Sequence, residues 1–72
     1  MEYLIVRFEG EDRAVVIDWR RQGRTDQVLE VERGTHEISL EGPPFNFEPL
    51  LQTVVLMNTT PLSPMEVTFA KK

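Results

Sequence analysis

Thr35-His36-Glu37-Ile38-Ser39-Leu40-Glu41 places His36, Ile38 and Leu40 at every second position, alternating with Glu37, Ser39 and Glu41. Successive side chains of a β-strand point to opposite faces, so this is the pattern of a strand with one face in a core and the other in solvent. Gly42-Pro43-Pro44 ends it, because proline has no N–H to give to a ladder. Just upstream, Arg33-Gly34 reads as a tight hairpin turn joining this strand to a run from Gln27 to Glu32. In that run Leu29 and Val31 face one way, and Val28, Glu30 and Glu32 the other.

The same reading extends toward both termini. Glu2 to Phe8 alternates Leu4, Val6 and Phe8 against Tyr3, Ile5 and Arg7, and Glu9-Gly10-Glu11-Asp12 supplies a turn. Arg13 to Trp19 puts Val15, Ile17 and Trp19 on one face, and Arg20 to Thr25 reads as a polar connection centred on Gly23. Downstream, Phe45 to Pro49 is an aromatic loop. Leu50 to Asn58 holds Val54-Val55-Leu56-Met57, a continuous apolar run expected to be covered on both faces, as a central strand is. A helix is the competing reading there, and two β-branched valines with flanking prolines favour the strand. A Pro-rich connection from Thr59 to Pro64 leads to a last run, Met65 to Ala70, with Met65, Val67 and Phe69 facing inward. About six short strands and no helical periodicity predict an all-β fold: a small antiparallel β-sandwich, with an open β-barrel as the alternative.

The 72 residues suffice for one domain, read here as 1–72. A chain of this size buries only about 60% of its unfolded surface, so association with another chain would relieve a thin stability margin. There is no cysteine, hence no disulfide framework, no thiolate nucleophile and no sulfur-ligated metal. The N-terminal apolar run is only Leu4 to Val6 and carries early acids, unlike a signal peptide. A soluble cytoplasmic protein is the expectation. Twelve acidic against eight basic residues give a net charge of −4, and the one basic cluster is Arg20, Arg21 and Arg24, with Lys71 and Lys72 as a short tail. That balance disfavours nucleic acid and anionic membrane as partners.

The middle of the chain carries a turn grammar: Val16-Ile17-Asp18, Gly23-Arg24-Thr25, Leu29-Glu30-Val31, Gly34-Thr35-His36-Glu37-Ile38 and Phe47-Glu48-Pro49. Over roughly residues 13–70 this resembles PEGA domains, small β-sandwich modules of bacterial and archaeal proteins. Trp19 stands where that family often has Gly, Asp26 where it has Pro, and the P-E-G-A string is missing. The resemblance implies a two-sheet sandwich and a structural or interaction role without a reaction of its own.

The residues themselves also point away from catalysis. His36 is the single histidine, on the face of Ile38 and Leu40, which reads as a partly buried side chain at the core edge. No second His or Cys exists to complete a transition-metal site, and no cofactor is implied. Ser39 and Ser63 lack a nucleophile elbow, and Ser39 faces away from His36. An enzymatic reading would require an ordered pocket pairing His36 with a carboxylate. Glu9, Glu11 and Asp12 lack the closing carboxylate of a calcium loop and read as a solvated acidic turn. Asn58-Thr59-Thr60 matches the N-glycosylation acceptor, a short motif without meaning unless the chain is secreted.

What remains is surface. Trp19, Arg20 and Arg21 form the most partner-like string, and Phe45 and Phe47 are aromatic side chains on a loop. The expected function is a non-catalytic structural or protein-interaction module, binding another protein or itself through sheet edges. The alternative is a small-ligand or carbohydrate binder using these aromatics, which requires exposed rings.

Overall fold

In a computed structural model, which describes residues 1–9 and 11–72, the chain forms eight strands and no helix among those residues. They are β1 (Glu2–Phe8), β2 (Ala14–Ile17), β3 (Arg20–Arg24), β4 (Val28–Val31), β5 (Gly34–Leu40), β6 (Phe47–Glu48), β7 (Gln52–Leu56) and β8 (Met65–Lys71). One sheet has the order β4-β1-β8-β6 and the other β3-β2-β5-β7, and they do not close into a barrel. The fold is therefore a small β-sandwich. Gly10, at the centre of the expected first turn, lies outside the described residues.

The alternation found the core. Leu4, Val6 and Phe8 of β1, Val15 and Ile17 of β2, Ile38 and Leu40 of β5, and Val67 and Phe69 of β8 are all buried in one cluster. Five of the six strand pairings are antiparallel. The exception is β1 with β8, which run parallel from Leu4↔Met65 to Phe8↔Phe69. These are the first and last strands, so no short hairpin fixes their direction, and a long connection permits the parallel arrangement. Buried Glu2 ties the start of β1 to the connection between β7 and β8. Its carboxylate accepts from the Thr59 N–H at 2.9 Å and from the Thr59 hydroxyl, and Thr59 Oγ1 accepts the Tyr3 N–H at 2.7 Å.

Four expectations are corrected. First, Arg20–Arg24 is a strand, not a connection; every residue of it is exposed, so it has no apolar face to announce it. It pairs with β2 as a sheet edge, with a register shift between Ala14 and Val16. Second, Trp19 does not continue the β2 face. Asp18 (φ 51°) and Trp19 (φ 68°) form a two-residue loop flanked by the pair Ile17↔Arg20, the geometry of a type I′ hairpin. Third, Arg33-Gly34 is not a hairpin turn: β4 pairs with β1 and β5 with β2 and β7, so the chain changes sheets there. Fourth, Leu50–Asn58 does contain a strand, but β7 is an edge strand rather than a central one. Its inner face is covered at Leu56, while Val55 on its outer face is 51% exposed.

Gly23 closes β3 against the opposite sheet. Its φ is +79°, and a Cβ there would stand 2.3 Å from a methyl carbon of Leu29. Only glycine fits both the left-handed backbone and the close approach.

Candidate interaction surface

The type I′ loop is held by the strand whose alternation decided the fold. Asp18 N–H donates to the Glu37 carbonyl at 2.8 Å, and one Asp18 carboxylate oxygen accepts the Glu37 N–H at 3.0 Å. The other stands 2.5 Å from His36 Nδ1, while His36 Nε2 lies 2.7 Å from the Glu32 carbonyl oxygen. A carboxylate and a carbonyl oxygen only accept, so both contacts are hydrogen bonds together only when the imidazole is protonated at both nitrogens. The Asp18 hydrogen bond is the main reason that the His36 pKa is raised, against the opposing effect of burial. Asp18 is held below its ordinary range, chiefly by the Glu37 N–H and next by His36.

This pair lines a groove of about 450 Å³ at one end of the sandwich, with Ile17, Arg20, Glu30 and Val31. His36 thus lies at the core edge and does have a carboxylate beside it. An imidazole donating at both nitrogens has no lone pair to take a proton, which general-base chemistry needs. Ser39 faces the other side of the sheet, where its hydroxyl donates to the Leu50 carbonyl at 2.6 Å. The acidic turn is likewise engaged: Glu11 pairs with Arg13, and Asp12 with Arg24 at 2.9 Å. Among the described residues no group of three or more His, Cys, Asp and Glu side chains is gathered to hold a metal ion.

The string Trp19-Arg20-Arg21 does not form one surface. Arg20 lines the groove beside His36, whereas Arg21 lies opposite Val16 and pairs with Glu41 at 3.1 Å. With Arg24 on Asp12, two of the three cations in the basic cluster are neutralised by neighbouring carboxylates.

The two aromatics expected on one loop also separate: Phe45 stays on the connection, whereas Phe47 and Glu48 form the short strand β6 against β8, a correction to the expected loop. Phe47 is 1% exposed and packs edge-on against Phe8 and Phe69, with ring centroids at 6.2 and 5.9 Å. It belongs to the core. Phe45 is 62% exposed and Trp19 74%. These two rings, with Leu50, Leu51 and Ser39, line a second groove of about 280 Å³ on the outer face of the β3-β2-β5-β7 sheet, with Phe47 behind it. The Trp19 indole N–H donates to the Glu37 carboxylate at 3.0 Å, fixing the ring over β5. Phe45 lies against Gly42, where a Cβ would come within 2.6 Å of its ring.

Arg13 builds the loop that presents Phe45. Its guanidinium donates to the carbonyls of Glu41 and Pro44 and to Asn46 at 2.9–3.1 Å, and lies 5.2 Å from the centre of the Phe8 ring. Sequence reasoning missed this role, as it missed Leu50 and Leu51. An arginine at the start of a strand carries no local mark of a partner some thirty residues away. Leu50 and Leu51 were absorbed into an apolar run read as core.

The groove is apolar, and its one hydroxyl, Ser39, is already donating. Sugar recognition needs polar groups beside a stacking ring, whereas an apolar side chain needs none. Leu51 also begins a row along β7: by alternation Leu51, Thr53, Val55 and Met57 share the outer face, and all four are exposed. No helix among the described residues is long and apolar enough to cross a membrane. Compared with known proteins, the chain matches no protein-family model, no curated protein and no solved structure.

Proposed function

We propose that this chain is a non-catalytic protein-interaction module whose contact surface is the outer face and free edge of the β3-β2-β5-β7 sheet at β7. One observation carries the reading: the exposed apolar surface of Trp19, Phe45, Leu50 and Leu51 runs on into Val55 of the edge strand β7 and Met57 just beyond it. Contiguous apolar surface rimmed by polar groups marks a contact site on a small protein. Trp19 adds weight. A bulky residue at φ 68° is strained where Gly or Asn would sit more easily, so the fold carries an exposed indole at a cost. His36, with both ring nitrogens engaged, supports the non-catalytic part. The role matches what the PEGA resemblance implies, a structural or interaction unit of a bacterial or archaeal protein. The lack of cysteine fits the cytoplasm.

Trp19 is the only tryptophan, so its emission reports this surface directly. Immobilised protein should capture a specific protein from an extract of the cells that make it, and Trp19→Ala and Phe45→Ala should each lose it. A captured protein should shift Trp19 emission to the blue as the indole leaves water. Capture unaffected by both substitutions, or no capture at all, would overturn the assignment of this face.

A further inference from the structure

Four strands end the two sheets, and three of them resist pairing. β3 holds Arg20, Arg21 and Arg24 and a register shift against its neighbour; β6 has two residues and runs into Pro49; β4 has four residues and carries Glu30. Charge, irregularity, brevity and proline are the devices by which natural sheets block edge-to-edge contact. β7 has none of them. From Pro49 to Met65 the sequence contains no charged residue, in a chain that is 28% charged, and Gln52-Thr53-Val54-Val55-Leu56 contains no proline. β5 is its sole ladder partner among the described residues.

We infer that the β7 edge pairs antiparallel with β7 of a second copy about Val54, joining two four-stranded sheets into one eight-stranded sheet across a twofold axis. This rests on the interaction reading above and names the partner. On the outer face the row Leu51, Thr53, Val55 and Met57 is its own complement in that register, while on the inner face Gln52, which donates to the Thr68 carbonyl at 2.8 Å, stands beside Leu56. A twofold axis perpendicular to the sheet keeps the outer face outer, so Val54 meets Val54, Thr53 meets Val55, and Leu51 meets Met57 of the other copy. On the outer face, β-branched residues face β-branched residues and long apolar chains face each other, the pairings that stabilise a ladder. On the inner face, the half-buried Val54 packs against the core, and its twin would cover what remains exposed. Each copy carries a net charge of −4, and the pairing places an uncharged stretch at the contact. A foreign strand would be selected by charges along the edge, and β7 offers none.

The test is mass against concentration by light scattering or sedimentation, from about 10 µM to about 1 mM, the range where small interfaces associate. The chain should move from 8.4 kDa toward twice that mass. Val55→Lys, on the exposed outer face, should stay folded by circular dichroism and weaken dimerisation at least tenfold, whereas Arg7→Ala, on β1, should not. The chain has no cysteine, so Val54→Cys gives a single thiol at the axis, which should form a covalent dimer on mild oxidation. A monomer across the whole range, or a dimer untouched by Val55→Lys, overturns the proposal. If the chain is monomeric yet Trp19→Ala still abolishes capture from extract, only the self-pairing fails. If capture fails as well, the wider reading fails with it.

Discussion

β3 and β7 end the same sheet and are built on opposite principles. β3 is exposed along its whole length, carries three arginines and is drawn against Leu29 through Gly23. It contributes little to the core and its charges discourage a further strand. β7 is half core and half surface: Leu56 is fully buried while Thr53 and Val55 face solvent, and no charge guards its free side. An edge strand can therefore be made safe by giving up its apolar residues, or it can keep them and remain available. This fold does one at each end of a single sheet.

The largest way to sharpen that contrast is to truncate each edge. Leu56→Ala should cost about 2–5 kcal/mol, the range for emptying a buried leucine site, and could unfold so small a domain. Gln22→Ala on β3 should lie within about 0.5 kcal/mol of wild type, as exposed substitutions do. Urea denaturation measures both. If the two cost the same, β7 is not the core-bearing edge described here.

Gly23→Ala comes next. It combines a left-handed backbone with a Cβ driven into Leu29, and should destabilise by roughly 1–3 kcal/mol. The substitution acts on β3 and, through Leu29, on β4, so amides of β7 should keep their exchange rates while those of β3 speed up.

The third prediction concerns the turn from which β3 departs. His36 is raised above its ordinary 6.5, mainly by Asp18, so its charged form favours the fold. That contribution is complete below 6.5 and is lost as pH rises through the folded value. Asp18 is held below its ordinary 3.8, so its contribution is present above that pH and is lost as pH falls through the folded value. Thermal stability should therefore fall on going from pH 6 toward alkaline pH. His36→Gln should be less stable at pH 6 and should flatten that alkaline slope. An unchanged slope would detach His36 from the clamp on Asp18.

These edges also explain what could and could not be read in advance. Leu4, Val6, Phe8, Ile38, Leu40, Val67 and Phe69 were legible because one buried face imposes a period of two. β3 was not, because an exposed edge strand imposes no apolar period and is specified by the turn before it. Trp19 was misplaced because alternation continued on paper across residues whose positive φ reverses the chain. Val54-Val55-Leu56 announced a strand but not its position, since an uninterrupted apolar run reads alike at the centre of a sheet and at an unguarded edge. In the candidate site, Phe45 and Phe47 are two residues apart in a stretch that reads as one loop, and only the pairing of Phe47 in β6 and its packing against Phe8 and Phe69 separate the buried ring from the exposed one.

The smallest effect on folding should come from reversing the guards. Val55→Lys and Arg21→Val exchange the character of the two edges at exposed positions. Each should change stability by no more than about 0.5 kcal/mol. Their effect belongs in association: Val55→Lys should suppress it, and Arg21→Val should promote new contacts at β3.

Amide hydrogen exchange, followed residue by residue at low and high protein concentration, tests the contrast most directly. The outward-facing amides of β7 between Gln52 and Leu56 should exchange freely when dilute and become protected as concentration rises, with β3 unchanged. Protection that appears at β3, or at neither edge, would contradict the account.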